Sequence, residues 1–242
     1  GYDDVDLRNF GGQKKKRTAF AQSDTGKQIM TAMIDAVRRK EASGMVERFS
    51  HHSFLTLRLC GNICCGCVIR DEYSQETVEL PGDAVIVATG GMHGLFGNTT
   101  GSLSNTGEVT AELFRLGVPL ANGEMIQYHP TTVKCGGKRM LISEAARGEG
   151  GRLFAMKDGK QWYFMEEKYP ELGNLMPRDI TAREIWKVSH ESEVFLDMTE
   201  ISEEIISNKL SGLADDCMTY LHKDIRKEPV SVLPGIHYFM GG

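Results

Sequence analysis

The stretch DAVIVATGG, residues 83–91, constrains the fold of this chain more than any other. Its centre, Ala84 to Ala88, is a continuous apolar run without alternation, the pattern of a strand buried on both faces of a parallel sheet. Such a strand needs covering elements on either side, which points to a layered α/β arrangement. Thr89, Gly90 and Gly91 then end the run with residues that let the backbone approach a ligand closely. Taken alone, the ATGG leaves a nucleotide site and a simple strand-ending turn both open.

The neighbouring segments supply the rest of the layers. Asp24 and Thr25 can cap a helix running towards Arg39, because Ile29, Met30, Met33, Ile34 and Val37 recur at three- and four-residue steps and form an expected core face. Residues 54–71 read as a hairpin turning at Gly61-Asn62. Asn105 with Glu108 resembles a capping pair for a helix to Leu116, which Gly117 stops. From Glu124 to Leu175 the texture is of loops carrying His, Arg and Gly. A helix is expected after Pro177 to about His190, EVFLDM reads as a strand, and Thr199 to Leu221 reads as helix broken near Gly212. The tail EPVSVLPGIHYFMGG is extended and punctuated by proline.

Composition excludes several function classes. The chain carries 28 Lys+Arg against 33 Asp+Glu, a net charge of −5, which gives no general affinity for nucleic-acid backbones or anionic lipid. No uninterrupted apolar stretch of about 18 residues exists, so no membrane-spanning helix is expected. Of six cysteines, four crowd into LCGNICCGC, residues 59–67. Spacings of three, none and one residue between them do not match a thiolate metal site, so reduced structural thiols are favoured over a metal or redox cluster. The chain opens at Gly1 rather than Met and stops directly after an apolar run, so it is expected to be an internal piece of a longer polypeptide.

Single motifs here have ordinary readings. A His in YHP or HYF is commonly a hydrogen-bonded structural residue, and Glu144 with Arg147 has the spacing of a modest helix-surface salt bridge. Their order carries more. The chain presents FGGQ, VIVATGG, NTGE, QYHPT, L-x-SE-x2-RGEGG, PRD-x3-R and EP-x3-LP-x2-HY-x-MGG in succession. That succession closely resembles the flavoprotein subunit family of succinate dehydrogenase and fumarate reductase, which includes L-aspartate oxidase, from Phe10 to Gly242.

The resemblance implies a fold that is partly α/β and partly α+β. Residues 1–124 would be the later part of a Rossmann-like FAD-binding domain, 125–233 an α+β capping domain over the substrate, and 234–242 the return. It implies FAD as cofactor, although no G-x-G-x-x-G occurs in the chain. Ala88, Thr89, Gly90, Gly91, Thr106, Gly107 and Glu108 would contact the flavin cofactor. Glu108 stands for the family's usual Asp and Val109 for its usual Gly. A dicarboxylate, fumarate or succinate, would be bound by His129, Ser143 and His237, with Phe10 and Gly11 beside it. Phe10 replaces the glutamate typical of L-aspartate oxidases and favours a dicarboxylate without an amino group. Arg178 matches the family's proton donor, relayed through Glu144 and Arg147, with hydride exchanged at flavin N5. An iron-sulfur subunit is the implied protein partner, and the implied location is cytoplasmic, peripheral at a membrane through partner subunits. The alternatives are an L-aspartate oxidase-like enzyme and a non-catalytic capping fragment that binds dicarboxylate.

Overall fold

A computed structural model describes residues 7–8, 15–21 and 25–239, which divide into two compact units. One is built from Gln127–His237 with Gly97–Thr100 and the chain up to Thr31. The other is built from Ala32–Phe96, Gly101–Ile126 and the residues from Tyr238. Helices and sheets are mixed throughout, in agreement with the expected α/β and α+β class.

At the start, β1 (Leu7–Arg8) and β2 (Thr18–Ala19) form an antiparallel pair. The helix α1 (Thr25–Ala42) follows. Thr25 Oγ1 accepts the Ala21 N–H at 2.9 Å, while Asp24, the other expected cap residue, lies outside the described residues. The expected core face is not buried: Ile29, Met30, Met33, Ile34 and Val37 are 42–61% exposed. Apolar periodicity specifies a helix with one greasy face, but not what covers that face.

In the second unit, β3 (His52–Cys60), β4 (Ile63–Asp71) and β5 (Thr77–Pro81) form an antiparallel meander. Gly61 supplies the positive φ, +67°, that the tight turn after Cys60 requires. The cysteines depart from expectation, because Cys60 and Cys65 are joined in a disulfide while Cys64 and Cys67 are free thiols. Register shifts between Phe54 and Thr56 and between Leu57 and Leu59 break the strict alternation of a regular hairpin, and the two Cα atoms lie 6.3 Å apart, within bridging range.

The run from Ala84 to Ala88 is not a strand, and Ile86 is 90% exposed. A parallel strand exists only by pairing with neighbours, and no described strand pairs with this one. The helix α2 (Glu108–Arg115) is capped by the backbone of Gly107 at φ +77°, not by Asn105. The expected stop holds: Gly117 has φ +89° and the Val118 N–H donates back to the Leu113 carbonyl.

The first unit contains nearly all of the core. Here β6 (Ile126–Cys135) and β7 (Lys138–Leu141) form a hairpin over Gly136-Gly137. Next come α3 (Glu144–Gly148), β8 (Arg152–Lys157), β9 (Lys160–Trp162), α4 (Phe164–Lys168) and α5 (Arg178–Val188). The chain closes with β10 (Val194–Asp197), α6 (Glu203–Lys209), α7 (Ser211–Asp216), β11 (Val230–Ser231) and β12 (Leu233–Phe239). The sheets run in the orders β11-β10-β8-β9 and β12-β6-β7. Residues 126–168 are thus largely regular where loops were expected. Their strands are short, and the β8–β9 turn relies on Asp158 and Gly159, at φ +52° and +75°. The helix break falls at Leu210, which is buried, and not at Gly212.

Leu153, Met165, Ile185, Leu196, Met198 and Ile206 are at most 1% exposed and form the centre of this core. Each such side chain contributes about 1.5–3 kcal/mol by leaving water. A short stitch completes the unit: Ile236 N–H donates to the Asn98 carbonyl at 2.8 Å, and Thr100 N–H to the Ile236 carbonyl at 2.9 Å.

Candidate active site

The core of the first unit fixes α3 and α5, and these two short helices bring together the charged residues singled out from sequence. Ser143 caps α3, its Oγ accepting the Ala145 N–H at 3.3 Å, so the hydroxyl has a structural duty. Glu144 and Arg147 follow on the same helix and are 5% and 2% exposed. Arg178 is the first residue of α5, after Pro177, a residue suited to a helix start.

Arg178 is held on two sides. Its Nε donates to Glu144 Oε2 at 2.8 Å and its Nη1 donates to Gln127 Oε1 at 2.9 Å. Arg147 Nη2 lies 3.7 Å from the other carboxylate oxygen, Glu144 Oε1. One buried carboxylate therefore sits between two guanidiniums, while Arg178 itself keeps 25% of its side chain exposed. Burial and the charge of Arg178 lower the Arg147 pKa, against the pull of Glu144, to about 10.

The histidines lie in the same unit. His129 and His237 meet edge to face with ring centroids 5.3 Å apart. His129 is 1% exposed; burial first, then the charges of Arg178 and Arg147 and the neighbouring His237, push its pKa down to about 2. It is therefore a neutral ring at any physiological pH. Its Nδ1 lies 3.2 Å from both the N–H and the carbonyl of Thr131, so the backbone of that residue can meet either tautomer. His237 Nδ1 is 2.7 Å from Thr100 Oγ1, which orients that ring.

Glu144, Arg147, Arg178, His129, Ser143 and His237 thus share one compact unit, whereas Phe10 and Gly11 lie outside the described residues. Three contacts were not assigned from sequence. Gln127 opens the QYHPT motif and was readable there, Thr100 sits within the stitch, and Asn174, which accepts from Arg147, carries no sequence signal.

The glycine-rich residues belong to the second unit. Thr89, Gly91, Thr106, Gly107 and Glu108 line one cavity of about 200 Å³ together with Ser53 and Phe54. Ala88, Thr89 and Gly90 line another of about 470 Å³ with Leu113, Phe114 and Leu120. The smaller space falls below the roughly 300–1,000 Å³ of a drug-sized ligand pocket, so it suits part of a dinucleotide. Glu108 puts a carboxylate in the first turn of α2, which disfavours a pyrophosphate there and suits ligand hydroxyls. The glycines also have internal reasons. A Cβ on Gly91 would lie 2.5 Å from the Phe239 ring, and one on Gly107 2.7 Å from Met92. Among the described residues no group of three or more His, Cys, Asp or Glu could hold a metal ion.

Comparison with known proteins gives a consistent result. The FAD binding domain family matches residues 2–242. The chain is 40% identical to the succinate dehydrogenase flavoprotein subunit of Bacillus subtilis over 98% of its own length and 42% of that protein's. It is 30% identical to the L-aspartate oxidase of Clostridium perfringens, over 96% of itself and 51% of that chain. Among solved structures, a variant of the E. coli quinol fumarate reductase FrdA superposes with a TM-score of 0.88 at 29% identity, over 98% of this chain and 43% of that one. The chain therefore spans about half or less of the length of the relatives it matches.

Proposed function

The chain belongs to the FAD-binding-domain family that includes the succinate dehydrogenase and fumarate reductase flavoprotein subunits, with FAD as cofactor, and from that premise we propose that the whole protein interconverts fumarate and succinate. When bound, FAD supplies or takes the hydride. The smaller cavity, lined by Thr89, Gly91 and Thr106 to Glu108, would hold part of it.

The remaining demands fall on the protein. A dicarboxylate dianion needs cationic and hydrogen-bonding groups, and polarising one carboxylate makes the alkene electrophilic. Arg178, a quarter exposed, brings the positive charge to the substrate, while Arg147 lies buried behind Glu144. Neutral His129, His237 and the Ser143 hydroxyl bring directional hydrogen bonds. A neutral ring at His129 places an N–H beside the substrate without adding a third cation next to the two arginines.

Arg178 delivers the proton to the carbon opposite the hydride. A guanidinium hardly deprotonates near neutrality, so this role requires immediate replacement of the proton. Glu144 Oε2, 2.8 Å from Arg178 Nε, is the acceptor and donor for that exchange, with Arg147 behind it. This Arg178–Glu144–Arg147 chain is the observation that carries the reading. Gln127–His237 would act as the substrate-binding capping unit. An iron-sulfur subunit would exchange electrons with the flavin and place the protein at the cytoplasmic face of a membrane. Among the described residues no helix is long and apolar enough to cross one.

Phe10 favours fumarate or succinate over L-aspartate. The test is fumarate reduction by the whole protein with a reduced artificial donor. Arg178→Lys should abolish turnover by several powers of ten and leave flavin content normal. Turnover within about tenfold of the unmodified protein would remove Arg178 from the mechanism.

A further inference from the structure

We infer that Asn174 is a positioning residue for Arg147, coupling the buried proton relay to an ion pair at the protein surface; this rests on the function proposed above. Arg147 has a fully buried side chain, yet its Nε and Nη2 have no hydrogen-bond partner. Its attraction to Glu144 acts across 3.7 Å, too long for a hydrogen bond and without directional preference. What orients the guanidinium is the bond from Nη1 to the Asn174 backbone carbonyl, at 2.6 Å.

The position of that carbonyl is in turn fixed by the Asn174 side chain. Asn174 Oδ1 accepts the Leu153 N–H of β8 at 3.0 Å, tying the loop to the core sheet. Asn174 Nδ2 donates to Glu166 Oε1, also at 3.0 Å. Arg152 grips both oxygens of Glu166, its Nε donating to Oε1 at 2.9 Å and its Nη2 to Oε2 at 2.7 Å, so Oε1 is shared with Asn174. The Arg152–Glu166 pair is about one third exposed, so the series of contacts runs from solvent to Glu144. An asparagine suits this place because it offers an acceptor to the sheet and a donor to the carboxylate at once.

The consequence is specific to proton supply. Loosening the Asn174 carbonyl lets Arg147 drift from Glu144 without touching the groups that bind the dicarboxylate. A displacement of about 1 Å at such a group lowers rate by up to about a hundredfold. In the whole protein, Asn174→Ala should lower kcat for fumarate reduction, counted per bound flavin, by about tenfold or more with KM within about twofold. The solvent deuterium isotope effect on kcat should rise, because proton transfer becomes the slower step. Glu166→Ala should change both in the same direction. Glu166→Gln, which still accepts from Asn174, should recover most of the rate.

A role in stability alone would lower the melting temperature and leave kcat per flavin and the isotope effect unchanged, and that result in Asn174→Ala overturns the inference. A rise in KM with kcat intact overturns it too. If Asn174→Ala does not fold, Glu166→Ala, altered at the surface, decides by the same two readings. Arg178→Lys in the same series separates the inference from its premise. If Arg178→Lys still turns over, the proton-delivery reading fails; if it is inactive while Asn174→Ala behaves normally, only the positioning role fails.

Discussion

His129 makes the first unit sensitive to mild acid, and the size of the effect follows from its burial. The folded ring has a pKa of about 2, whereas the ring of an unfolded chain titrates near 6.5. A group with a lowered folded pKa contributes stability that is complete above the unfolded pKa and is lost as pH falls towards the folded one. Below 6.5 the unfolded chain takes up a proton that the folded ring refuses, at up to about 1.4 kcal/mol per pH unit. From about pH 7.5 to pH 4.5 the loss from this one residue is therefore about 3 kcal/mol, and any folded pKa below about 4 gives nearly the same figure. Carboxylates held low by their partners, Glu166 by Arg152 and Asp224 by the Arg226 backbone N–H, lose their contribution mainly below this window. Comparison with His129→Gln cancels them in any case, since that variant keeps every carboxylate. The assay is urea unfolding followed by tryptophan fluorescence, because both tryptophans, Trp162 and Trp186, lie in this unit. His129→Gln is expected to start less stable at pH 7.5 and to lose about 3 kcal/mol less on acidification. Equal losses in the two proteins would refute the argument, whatever their stabilities at neutral pH.

Further outcomes follow from packing and exposure. Leu196→Ala, at a fully buried position of β10, should cost about 2–5 kcal/mol by the same fluorescence assay. The 242-residue chain alone should sediment above its 26.9 kDa monomer mass, because the α1 stripe and Ile86 expose apolar surface; Met33→Lys with Ile86→Lys should shift it towards monomer, and no shift would show that other surfaces associate. Alkylation of the unfolded, unreduced chain should label four of its six cysteines, sparing Cys60 and Cys65, and loss of their short loop should cost about 2 kcal/mol.

What was legible in the sequence was local. The helix after Pro177, the hairpin at Gly61 and the stop at Gly117 depend on neighbours a few residues away, and each appears where expected. The α1 stripe and the Ala84–Ala88 run misled because periodicity states how apolar residues are spaced and leaves their partners unspecified. The Cys60–Cys65 bridge was missed because a register shift overrides simple alternation. In the candidate site, side chains within recognisable motifs were named in advance. The backbone carbonyl of Asn174 could not be, since a main-chain acceptor leaves no trace in residue type.

The stitch between Thr99 and Ile236 has a consequence for how such a chain is made. The Thr99 hydroxyl donates to a carbonyl 137 residues further on, so the β12 edge cannot be completed until that residue has left the ribosome. At about 5–20 residues per second, the wait is roughly 7–27 s. The core around Leu196 closes only when Val230 and Val232 arrive, a few residues before the end of that interval, while His237, one residue beyond the stitch, still has no fixed place. The ring expected to meet the substrate is therefore among the last parts to arrive, and a polypeptide truncated before Ile236 would keep its buried core yet lack a finished pocket.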